Sequence, residues 1–219
     1  MIIELPEKFS FKDEKTREKA VIEDGILKMT RQTSFRKVMI EIAYQMKGRD
    51  VCQYCHMKFT KEEITIDHMF PIDFGGPTIT NNLLPACKEC NKEKGNMTYQ
   101  QYRTFLEAKD VGVGETYLKT LKKYQELLRK EKRYQIQKSW ITERPIGDIF
   151  TNINLNEDYR KKKYKSYEKY YLTYGIIKCP IIIDRNGILL DGFLRLMLAK
   201  NYNIKSVPVI MLENVEVIL

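Results

Sequence analysis

Apolar residues recur along this chain in a few distinct rhythms. Phe35, Val38, Met39, Ile42, Ala43 and Met46 repeat at helical spacing, with Ser34 placed to cap the start and Gly48 to stop the helix. Residues 98–140 also read as helical, with Tyr117, Leu121, Tyr124 and Leu128 along one stripe. Residues 1–34 hold no sustained rhythm and read as a loosely packed arm, with a short charged helix around 15–24 ended by Gly25. Glu143-Arg144-Pro145 breaks the helical pattern and marks a domain boundary. Beyond it the pattern predicts a strand at 146–150 and a basic, Tyr-rich helix at 158–174. A hairpin follows, pairing 181–184 with 188–190 through the primed turn of Asn186-Gly187. A helix at 193–200 and a strand at 207–212 complete the chain. Tyr164, Tyr167, Tyr171 and Tyr174 follow one helical face, which suits burial better than base stacking.

Composition narrows the class. At 219 residues the chain suffices for one ordinary domain or two small ones, and 43% hydrophobic with 31% charged residues excludes wholesale disorder. The N-terminus turns polar within four residues, without the apolar core of a signal peptide, and Lys, Pro, Asp and Arg interrupt every long apolar run. A soluble, cytoplasmic protein without a membrane span is expected. The net charge of +9 is uneven: residues 1–100 carry +1 and residues 101–219 carry +8, mostly within 121–140 and 161–170. Such a concentration suits a polyanion, because each neutralised phosphate releases counterions.

Five cysteines are too few and too uneven for a secreted disulfide scaffold. Four form two C-x-x-C pairs, Cys52/Cys55 and Cys87/Cys90, which predict a structural, four-thiolate Zn2+ site. A redox C-x-x-C would need one pair, not two. Cys179 lies in an apolar run and reads as an inert core thiol.

Thirty-one residues separate Cys55 from Cys87, too many for a simple zinc finger. The insert opens with an alternating apolar strand, Ile64-Thr65-Ile66-Asp67-His68; a Gly75-Gly76 turn reverses the chain, Asn81-Asn82-Leu83 returns to the second pair, and a short helix then begins that brings Asn91 back toward Asp67. The pattern D-H-x13-N-L-x7-N between two C-x-x-C pairs resembles the HNH (ββα-metal) endonuclease family over residues 50–97, in the variant with Asn at the third position. The resemblance implies metal-dependent hydrolysis of phosphodiester bonds. His68 would be the general base, an imidazole whose ordinary pKa lies near working pH. Asp67 and Asn91 would hold one catalytic divalent ion, their oxygens suiting Mg2+ or Mn2+ better than zinc. Asn82 would fix the loop that orients His68, and Lys94 would lie against a substrate phosphate.

Residues 145–213 resemble a second family, the ParB N-terminal/sulfiredoxin-like domain, in the strand Ile181-Ile182-Ile183, Asp191-Gly192-x-x-Arg195, and Val207-Pro208-Val209-Ile210. Asp191-Gly192 would open a helix whose N–H groups favour an anion, with Arg195 one turn in. Phe193 and Leu194 stand where related domains carry polar residues, which weighs against catalysis there. The alternative for Arg195 is a simple pair with Asp191.

The expected architecture is therefore α+β. A helical arm (1–49) precedes a zinc-stapled HNH module (50–97) with flanking helices, a basic helical linker (98–144) and a small ParB/sulfiredoxin-like domain (145–219). The expected partner is DNA, with RNA as a second candidate, bound through Lys94, Lys122, Lys123, Arg129, Lys130 and Arg195. A dimer is left open, and the resemblance implies a bacterial or phage source. Two rivals belong to other classes: a zinc-ribbon nucleic-acid-binding protein with an inactive site, and a nucleotide-sensing adaptor acting through the ParB-like domain.

Overall fold

The computed structural model describes residues 1–134, 136, 138–151 and 161–218. Three antiparallel strands come first: β1 (Ser10–Asp13), β2 (Glu18–Glu23) and β3 (Ile26–Thr30). The charged helix expected around 15–24 is not formed. Ala20, Leu27 and Met29 are buried with the period of two that a strand imposes. Asp24-Gly25, read as a helix stop, is a tight hairpin turn with both residues at positive φ (51° and 73°). The preceding turn is held by Asp13, whose Oδ1 accepts from the N–H groups of Lys15 and Thr16 at 3.0 and 3.2 Å.

Helix α1 (Phe35–Lys47) matches its predicted limits, with the Ser34 hydroxyl accepting from the Lys37 N–H and Gly48 closing the end at φ 86°. Phe35, Val38, Met39, Ile42 and Ala43 are buried, whereas Met46 is 37% exposed and leaves the stripe. The central hairpin, β4 (Ile64–His68) and β5 (Leu83–Cys87), runs directly into α2 (Lys88–Lys94). The predicted helix at 98–140 is two helices, α3 (Tyr99–Asp110) and α4 (Gly114–Lys130), folded back at Val111-Gly112-Val113 with Gly112 at φ 80°. Thr98 and Gln101 form a capping box that fixes where α3 begins. Tyr124 is 47% exposed and does not join Leu121 and Leu128 in the core.

The last sheet has the order β6-β9-β7-β8, from β6 (Thr142–Pro145), β7 (Ile181–Asp184), β8 (Leu189–Asp191) and β9 (Ser206–Leu212). The strand expected at 146–150 is displaced: Ile146–Asp148 is a 3₁₀ turn and the strand lies just before it. Pro145, read as a breaker, ends β6 on the sheet edge, where a missing N–H is tolerated. Helix α5 (Lys161–Tyr174) packs on α6 (Phe193–Asn201); the predicted first turn at 158–160 lies outside the described residues. The final strand, β10 (Val215–Ile218), leaves this sheet and pairs in parallel with β3. One apolar core thus joins Leu27 and Met29, Val38 and Ile42 of α1, Leu83 of β5, and Ile182 and Ile210. Helix α1 stands at its centre.

Candidate active site

The site grows from the β4–β5 hairpin. Ile64 lies opposite Cys87 and His68 opposite Leu83, so the second cysteine pair and the Asp67-His68 pair occupy opposite ends of one short ladder. The first cysteine pair is brought alongside by a Val51–Lys58 bridge and by the Gln53 N–H, which donates to Pro85 O at 2.9 Å. All four Sγ atoms lie within 4.8 Å of one another. A tetrahedral S4 zinc site needs sulfurs about 3.8 Å apart at Zn–S distances of about 2.3 Å. The Tyr54 and Cys90 N–H groups each donate to a cysteine sulfur at 3.4 Å, an arrangement that stabilises thiolates. The four cysteines form a potential metal site whose chemistry fits zinc.

Between the strands the chain makes a tight loop, and Asn82 clamps it. Its side chain, fully buried, accepts from the Phe70 N–H at 2.7 Å and donates to Phe70 O at 3.1 Å and Pro77 O at 2.8 Å. Gly76 is obligatory there, because a Cβ would stand 1.6 Å from Phe70 O. The clamped loop presents Thr78, whose Oγ1 lies 2.9 Å from His68 Nε2. His68 is half-buried. Burial above all, with the Arg36 and Lys94 cations adding, pulls its pKa down to about 4, against an upward pull from Asp191. The imidazole is therefore neutral near pH 7, as a general base must be, but it is a weaker base than expected from the ordinary pKa, because burial disfavours the imidazolium.

Asp67 points the other way along the strand, toward α2. It is 5% exposed and both oxygens are engaged: the Tyr54 hydroxyl donates to Oδ2, and Lys94 Nζ lies 3.1 Å from Oδ1 and 3.0 Å from Oδ2. Lys94 Nζ also donates to His68 O at 2.8 Å. Burial raises the Asp67 pKa and lowers that of Lys94, each opposed by the charge of the other. Asn91 donates to Thr65 Oγ1 at 2.8 Å, tying α2 to the same face of β4. As arranged, Asp67 and Asn91 do not fit an open divalent site, because the cation at Asp67 is the chain's own lysine.

Three of the expected phosphate contacts are corrected by burial. Lys94 is 1% exposed and spent on Asp67. Arg129 stacks its guanidinium 4.4 Å from the Phe74 ring and pairs with Glu126 at 3.6 Å. Arg195 is 3% exposed, pairs with Asp191 at 2.6 Å and donates to Cys179 O and Pro180 O, so the alternative reading of it holds. Lys122, Lys123 and Lys130 are exposed on α4. Tyr54, Thr78 and Arg36 escaped sequence reading; none is a fixed position of the D-H…N-L…N pattern, and only the fold sets them beside Asp67 or His68.

Residues 52–106 match the family model described as HNH endonuclease. No curated protein matches the chain. Among solved structures, one titled "Structure of the C2221 form of Pnob8-like ParB-N domain" is similar at 22% identity and a TM-score of 0.27, over 32% of this chain and 28% of that chain. The match of residues 52–106 and the mixed α+β architecture agree with the sequence resemblance. No helix among the described residues is long and apolar enough to cross a membrane.

Proposed function

We propose that this chain is an endonuclease hydrolysing phosphodiester bonds, with DNA as substrate and His68 as general base. The observation that carries the reading is the neutral, half-buried imidazole of His68, held by Thr78 on a loop clamped by Asn82, inside the segment that matches the HNH endonuclease model. In this scheme His68 takes a proton from the attacking water, and Thr78 fixes the ring while it does so. Asn82 acts through the loop, without touching substrate. The four cysteines hold Zn2+ and keep β4 in register with α2. Asp67 and Asn91 would hold Mg2+ or Mn2+ only with Lys94 released from Asp67, and the ion would then supply positive charge to the scissile phosphate. A plasmid cleavage assay on the zinc-loaded chain, with and without added Mg2+, tests the reading.

One observation favours a second reading. The Asp67–Lys94 pair closes the place where a catalytic ion would sit, as in a zinc-ribbon nucleic-acid-binding protein without hydrolytic activity. Binding of DNA with no cleavage at any Mg2+ or Mn2+ concentration would favour it.

A further inference from the structure

A cleft of about 370 Å³ lies where the clamped loop, α1 and α5 meet. Arg36 enters it from α1, Thr78 and Asp73 from the loop, and Lys163 from α5; Lys178, Asp191 and Arg195 complete the charged lining. Its two carboxylates are already neutralised within the cleft, Asp73 by Lys178 at 2.5 Å and Asp191 by Arg195 at 2.6 Å. Arg36 and Lys163 are exposed, and neither makes an ion pair among the described residues. The lining therefore carries two cations in excess, contributed from two different elements. The cleft also adjoins the candidate base. Thr78 belongs to its wall and bonds His68 Nε2, while Arg36 and Asp191 are among the charges that act on the imidazole.

We infer that this cleft is the seat of a nucleic-acid phosphodiester, gripped between Arg36 and Lys163 beside His68. The reading deepens the nuclease proposal and rests on it for the identity of the phosphate. It assigns substrate contacts to two residues outside the HNH-like segment, and it runs the strand between that module and α5. A phosphodiester shares its single negative charge between two non-bridging oxygens, and the Arg36 guanidinium and the Lys163 ammonium can each supply charge-assisted hydrogen bonds to them.

The test is fluorescence anisotropy of a labelled 20-base-pair DNA duplex on the full zinc-loaded chain. The His68→Ala background, with no divalent metal added, suppresses cleavage. Arg36→Gln, Lys163→Gln and the double variant are compared with Lys15→Gln, an exposed lysine in the turn between β1 and β2. Each cleft substitution should lower the slope of log K against log salt by about 0.9, and the double variant by about 1.8. At 0.1 M salt the double variant should bind roughly 10- to 100-fold more weakly, while Lys15→Gln stays at the parent value. Matching thermal melts guard against a folding defect. Unchanged slopes in the double variant overturn the inference. If the chain with His68 present never cleaves DNA yet the slopes fall, the cleft stands and the hydrolytic reading fails. If it cleaves and the slopes do not move, the reverse holds.

Discussion

Lys94 is the residue whose environment most constrains the chemistry. Its ammonium is buried against Asp67 and His68 O, and removing one member of a buried ion pair costs about 3–5 kcal/mol. Lys94→Met should therefore lower the melting temperature clearly. If Asp67 and Asn91 can take a divalent ion once the lysine is gone, Mn2+ should restore stability in this variant and barely move the wild type. Melts without any Mn2+ effect would remove Asp67 as a ligand. Glu18 gives a separate test far from the hairpin. It is 5% exposed and accepts from Lys37 at 2.6 Å, the Ser34 N–H at 2.9 Å and Thr16 at 2.8 Å, and the Lys37 bond leads in holding its pKa below the ordinary 4.5. A depressed carboxyl contributes stability above its unfolded pKa and loses it as pH falls through the folded value. Glu18→Gln should cost about 1.5–3 kcal/mol at pH 7. The gap should close as pH falls below the ordinary carboxylate range, and denaturant melts showing a pH-independent gap would contradict this.

At the scale of elements, the cysteine pairs, the β4–β5 hairpin and α2 were all legible, because their spacing is dictated by coordination geometry and a short turn. The failures share a cause: local patterns that two structures satisfy equally. Residues 15–24 are charged enough for a helix, and only the pairing of β2 with β3, and of β3 with β10 from the far end of the chain, decides for strands. Similarly, residues 98–140 read as one helical stretch through Gly112, yet α4 folds back against α3 so that Phe105 and Leu121 share a core with Tyr54. The site followed the same rule. Asp67, His68, Asn82 and Asn91 are visible as a spaced motif, but Tyr54 and Thr78 act only through contacts that the fold creates. Cys87→Ser tests the zinc staple directly. It should lose zinc by metal analysis and unfold the central module, since structural zinc couples roughly 10–16 kcal/mol of apparent binding free energy to folding. Full zinc content in the variant, or none in the wild type, would contradict the assignment.

Over the whole molecule, α1 joins the N-terminal sheet, the hairpin and the last sheet in one core, and the positive charge faces outward from α4 and α5. With Arg129 committed to Phe74, the expected phosphate contacts that stay exposed on α4 are Lys122, Lys123 and Lys130. Their joint replacement by Gln should weaken duplex DNA of every sequence alike and reduce the salt slope by about 0.9 for each phosphate no longer neutralised. An unchanged slope would make this face merely solvated. Hydrolysis by this site depends on His68. In a supercoiled-plasmid assay at pH 7–8 with Mg2+ or Mn2+, the zinc-loaded wild type should convert the plasmid to nicked or linear product. His68→Ala, with zinc content and DNA affinity unchanged, should be slower by about 10²–10⁴-fold. Equal rates for the two proteins, or no cleavage by the wild type under any of these conditions, would contradict it.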